Sequence, residues 1–91
     1  MNAIKRHLQR VADRGCALCL HLGHGATPAE IHHLREGQGM AQRGSDALVI
    51  GACPDHHRGS AGIHGDKSAW VNARYTEMDA LADTLRDLYL R

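Results

Sequence analysis

The chain has no phenylalanine, one tryptophan, two tyrosines and two prolines among its 91 residues. Without large aromatic side chains the apolar interior has to be aliphatic and thin, although 43% of the residues are hydrophobic. This length is too short for two independent cores, so a single domain over 1–91 is expected. Thin cores seldom hold by burial alone, and a metal or disulfides must then supply the missing constraint. Three cysteines cannot all pair within one chain. No apolar run is long enough for a signal peptide or a membrane span. Both facts point to the reducing cytoplasm and favour thiolate–metal bonds over disulfides. Net charge is nearly absent too: eleven Lys and Arg against ten Asp and Glu leave +1. Bulk composition therefore does not mark a nucleic-acid binder. Only the N-terminal stretch is locally basic, through Lys5, Arg6, Arg10 and Arg14. That pattern fits a solvated helix face as well as a phosphate-contacting patch.

What the chain has in excess is glycine, at ten positions, and histidine, at eight. Ile4, Leu8 and Val11 recur at helical spacing and predict an amphipathic helix over 3–13 that stops at Gly15. "GCALCLHLGHG" reads as a turn-rich segment. "AEIHHL" predicts a short strand with Ile31 and His33 on one face and Glu30 and His32 on the other. Residues 35–46 read as a loop, and "ALVIGA" as the second strand. Pro54 suits the first position of a helix or turn, while Gly59, Gly62 and Gly65 oppose a long one. "KSAWVNARY" predicts a short helix, with Trp70 in the core. "TEMDALADTLRDLYLR" predicts a longer helix capped by Thr76 with Asp79, and Met78, Leu81, Leu85 and Leu88 form its core-packing stripe. His7 is expected at the surface. The resulting plan is α+β: an N-terminal helix over 1–14, a metal-binding core over 15–65 and C-terminal helices over 66–91.

Cys16 and Cys19 form a C-x-x-C knuckle, and Cys53 and His56 repeat the same two-residue gap further on. Together they offer the four soft or borderline donors that tetrahedral zinc prefers. His21 and His24 are alternative fourth donors to His56. This structural zinc would clip the segment after the first helix to the end of the second strand, so that binding energy becomes folding energy. His32, His33, His57 and His64 remain. Adjacent histidines on a strand face apart, so one can hold an ion while its neighbour acts on a substrate. A metal ligand beside a general base is the pairing that phosphodiester hydrolysis needs.

At these residues the chain resembles a known family. "PAEIHHL", "SDALVIGACPDHHRG" and "GIHG", in this order over about residues 15–70, look like the HNH nucleases and their ββα-metal finger. The phage recombination-enhancement (Ref) nucleases, which act with the RecA recombinase, are the nearest group. The resemblance implies His32, His57 and His64 as ligands of a catalytic divalent metal (zinc, magnesium, manganese or nickel). It also implies His33 as general base and Asp46 as the orienting residue where the pattern has Asn. His56 stands where four-cysteine members carry a cysteine, and these 91 residues show no long basic N-terminal extension of the Ref kind. The implied partner is DNA, with RecA-coated DNA carried less far.

Arg35, Arg58 and Lys67 are candidate phosphate contacts, each with an alternative reading as ordinary surface charge. Asp46 in "GSD" equally suits a turn. Two other function classes stay open: a non-catalytic zinc-finger module for DNA or protein, and a thiol redox protein built on Cys16 and Cys19.

Overall fold

The computed structural model describes residues 2–34 and 45–90. It is a small α+β fold in which helices pack around a two-stranded antiparallel sheet. Helix α1 (Ala3–Arg14) is capped by Asn2, whose Oδ1 accepts from the Lys5 N–H at 2.8 Å, and is stopped by Gly15 at φ 97°. Val11 is fully buried, but Ile4 of the expected stripe is 41% exposed. The cause is length: twelve helical residues reach about 18 Å, whereas a four-residue strand covers about 13 Å.

The segment expected as turns contains a one-turn helix, α2 (Ala17–His21). Its cap is the Cys16 sulfur, which accepts from the Cys19 N–H at 3.4 Å. Five residues are too few to show a period, and a thiol cap is not among the usual start signals.

Strands β1 (Glu30–His33) and β2 (Val49–Ala52) form a hairpin in the register Glu30↔Ala52, Ile31↔Gly51, His32↔Ile50 and His33↔Val49. Gly51 is required there, since a Cβ would lie 2.4 Å from the Gly15 carbonyl oxygen. Pro54 opens α3 (Pro54–His57) at its first turn, directly after β2. Then come α4 (Ser68–Ala73) and α5 (Glu77–Tyr89).

The capping box at α5 is complete: Thr76 Oγ1 accepts from the Asp79 N–H and Asp79 Oδ2 accepts from the Thr76 N–H, both at 3.0 Å. The inward face of α5 differs from the expected stripe. Ala80, Leu81 and Thr84 are buried, with Glu77 half-buried one turn before, whereas Met78 is 51% exposed. Positions 77, 80, 81 and 84 do follow the helical period. Polar Glu77 and Thr84 conceal it in the sequence, because Glu77 meets a histidine and Thr84 meets Arg14 and the Ala80 carbonyl.

The core joins Leu18, Ile50, Trp70, Ala80 and Leu81 around Cys16 and Cys19. Trp70 is buried as expected, and its Nε1–H donates to the His56 carbonyl at 2.9 Å. Among the described residues no helix is long and apolar enough to cross a membrane.

Candidate metal centres

Helix α3 and its cap send side chains into two clusters. Cys53 at the cap and His56 three residues on face α2 and its cap, where Cys16 and Cys19 sit. His57 faces the other way, toward β1.

In the first cluster Nδ1 of His56 is 3.5 Å from both the Cys16 and the Cys19 sulfur. The Cys19 and Cys53 sulfurs are 3.8 Å apart. A disulfide would need about 2.05 Å. A tetrahedral zinc with bonds of about 2.3 Å to sulfur and 2.05 Å to nitrogen has S–S edges of about 3.8 Å and S–N edges of about 3.6 Å. The donors therefore match the edges of a zinc tetrahedron. Burial pushes the Cys19 thiol up to about 12, with the neighbouring Cys16 and Cys53 sulfurs adding to it, and also raises Cys53. Crowded buried thiols of this kind hold protons until a divalent cation replaces them. The Thr27 hydroxyl is buried without a hydrogen-bond partner, and its polarity near Cys19 works against that rise. Cys16, Cys19, Cys53 and His56 can thus hold a metal ion. Of the alternative donors, His21 stacks on Tyr75 with ring centroids 4.1 Å apart, and His24 lines an open groove beside the cluster.

The second cluster is His32, His57 and His64. His32 is only 3% exposed. Nε2 of His57 lies 3.2 Å from Nδ1 of His32 and 3.1 Å from Nε2 of His64. The outer nitrogens decide what these contacts are. Nε2 of His32 is 2.6 Å from Glu77 Oε1, and Nδ1 of His57 is 2.8 Å from Glu30 Oε1. An ionised carboxylate only accepts, so both outer nitrogens carry the proton and donate it. In neutral rings Nδ1 of His32 and Nε2 of His57 then meet lone pair to lone pair. A cation between them, a proton or a metal ion, would relieve that contact. One proton can bridge a pair of nitrogens but not three, whereas a metal ion can. Bonds of about 2.05 Å give N–N edges of about 3.3 Å in a tetrahedron and about 2.9 Å at right angles, which brackets the observed spacing.

The seven-residue step from His57 to His64 is achieved by a loop that doubles back along α3. The Ile63 N–H donates to the His56 carbonyl and the His64 N–H to the His57 carbonyl, both at 2.9 Å. Gly62 permits the approach, because a Cβ would lie 2.8 Å from the Asp55 and His56 carbonyl oxygens.

Glu30 and Glu77 are absent from the sequence reading of the site. Carboxylates that orient ligand histidines are the ordinary outer shell of a metal centre. Glu30 shares the strand face of His32, which alternation would have indicated; Glu77 comes from α5 and carries no local signal. The bond from His32, reinforced by Lys67, holds Glu77 at about 2 despite its burial. Bonds from His57 and Arg58 likewise lower Glu30.

His33 lies on the opposite face of β1, with Nε2 2.7 Å from Asp46 Oδ1. The side chains of Arg58 and Lys67 end on the two orienting carboxylates: Arg58 Nε on both oxygens of Glu30 at 3.1 and 2.9 Å, and Lys67 Nζ on Glu77 Oε2 at 2.9 Å. Arg35 lies outside the described residues. His7 is less peripheral than expected: it is half-buried, with Nδ1 2.6 Å from the Tyr89 hydroxyl and Nε2 2.9 Å from the Ala47 carbonyl. The chain matches no family model, no curated protein and no solved structure in such comparisons.

Proposed function

We propose that the chain is a metal-dependent endonuclease of the HNH type that hydrolyses DNA phosphodiester bonds. The observation that carries this reading is the convergence of ring nitrogens from His32, His57 and His64, with His33 next along β1 and held by Asp46. The hairpin followed at once by a short helix bearing His57 supports the ββα-metal finger, and the resemblance of the sequence motifs supports the Ref-like HNH class. RecA-coated DNA is one form the substrate can take.

A divalent cation held by His32, His57 and His64 would neutralise charge on the scissile phosphate and its leaving oxygen. Three imidazoles suit zinc or nickel better than magnesium, which prefers oxygen donors. Glu77 and Glu30 hold the His32 and His57 rings so that their lone pairs converge. His33 follows His32 on β1 with its side chain on the other face, so a phosphate would have to lie at the edge of the hairpin to meet both the ion and this base. Donation of Nε2–H to Asp46 leaves the basic lone pair of His33 on Nδ1, and the carboxylate faces the positive charge that the ring gains on taking a proton from water.

His33→Ala should abolish plasmid nicking, with metal content and helicity unchanged. General base catalysis contributes about 10²–10⁴-fold, so cleavage at the wild-type rate by this variant removes His33 from the mechanism. A non-catalytic zinc module would nick with neither protein.

A further inference from the structure

Among the described residues only two non-glycine residues have positive φ: Lys67 at 61° and Arg74 at 53°. Both are basic, and they bracket α4, Lys67 at its N-terminal end and Arg74 at its C-terminal end. Arg74 occupies the left-handed position after a helix, where glycine is the unstrained choice. Its N–H donates to the Val71 carbonyl at 3.0 Å, and the next N–H, of Tyr75, donates to the Trp70 carbonyl at 3.1 Å. The helix end needs that backbone conformation and does not need an arginine. Among the described residues none pairs with the Arg74 guanidinium.

Lys67 and Arg74 line one open groove of about 320 Å³, floored by Trp70 and Val71 and closed by Glu77. Val71 is 67% exposed, an apolar residue left bare between two cations. Glu77 pairs with Lys67 through Oε2 and with His32 through Oε1, which leaves the Arg74 guanidinium as the groove's uncompensated cation. The groove is thus one carboxylate away from the three-histidine cluster.

We infer that this groove is a subsite for the nucleic-acid backbone, in which Arg74 binds a phosphate flanking the one that is cut and Val71 packs against the sugar. An apolar floor beside an uncompensated guanidinium fits a sugar–phosphate chain, and the strained backbone under Arg74 is what the protein tolerates to hold that guanidinium there. The inference deepens the nuclease reading and rests on it.

The test is fluorescence anisotropy of labelled single-stranded and duplex oligonucleotides against metal-loaded protein over a salt series, together with thermal melts. Each phosphate contact contributes about 0.7 (single strand) to 0.9 (duplex) to the slope of log affinity against log salt. Arg74→Gly should lose one such increment and bind more weakly, while melting at or above the wild-type temperature because the left-handed position is relieved. Arg74→Lys should keep the slope. Binding by Arg74→Gly with the wild-type slope would overturn the subsite alone. Absence of any oligonucleotide binding by the wild type would overturn both the subsite and the nuclease reading.

Discussion

Cys53 and His56 leave α3 toward two buried cysteines; His57, one residue further on and itself held by Glu30, leaves it toward His64 and toward His32, which Glu77 backs. The first environment is sulfur-rich, with Cys16 and Cys19 buried in the core beside Leu18, Ile50 and Trp70 and with Cys53 and His56 half-buried. The second is an imidazole cup with His64 at its exposed side and Glu30 and Glu77 behind it. Three thiolates and an imidazole that close a tetrahedron suit an ion held for structure. Neutral nitrogens, one of them exposed, suit an ion that a substrate reaches. One short helix thus contributes donors to both clusters, and adjacent positions in the sequence divide them.

The difference can be broken from either side. The largest effect is expected at the cysteine cluster. Zinc binding at sites of this type contributes about 10–16 kcal/mol to folding, comparable to the whole stability of about 5–15 kcal/mol of an ordinary domain. Cys53→Ala, or removal of metal by a strong chelator, should therefore abolish the cooperative thermal transition and most of the far-ultraviolet helicity. A chelated protein that still melts cooperatively would show that the aliphatic core suffices. Next in size is the histidine cluster. Glu77→Gln leaves His32 without its anionic partner, and loss of such outer-shell carboxylates weakens metal binding about 10–100-fold. Titration calorimetry should find that loss at one site only, with the four-ligand cluster still filled; equal weakening of both sites would mean that Glu77 acts through the fold.

The smallest effects lie away from both clusters. Thr76→Ala removes half of the capping box and should cost about 1 kcal/mol in a thermal melt, with both metals retained. Asp79 supplies the other half, and the Thr76 N–H lowers its pKa below the ordinary 3.8. A lowered carboxylate stabilises the fold above its ordinary pKa and ceases to do so as pH falls through the lowered value. The gap in melting temperature between wild type and Asp79→Asn should therefore narrow in acid. A gap independent of pH would assign the effect to helix propensity.

The same comparison shows what the sequence makes legible. The four-ligand cluster is written in two identical spacings, Cys16 with Cys19 and Cys53 with His56, because one helical turn brings such residues together in each knuckle. The hairpin, the Pro54 helix start and the Thr76 cap are local signals too, and each lies where its residues predict. Glu77 is different. It reaches His32 across 45 residues, and as a buried carboxylate it also breaks the apolar stripe, so Met78 reads as core when it is exposed. Ile4 fails for a related reason, because helical period says nothing about how far a partner strand extends. Helix α2 was hidden by its cap, a sulfur where an oxygen is usual.

Everything above depends on two ions being held by two separate sets of side chains. Elemental analysis of wild-type protein beside His57→Ala, both purified in the presence of zinc and dialysed, tests this most directly. The wild type should carry two metal ions per chain, and His57→Ala should carry one while retaining its fold. One ion in both proteins would contradict the account, since His32, His57 and His64 would then not form a metal centre.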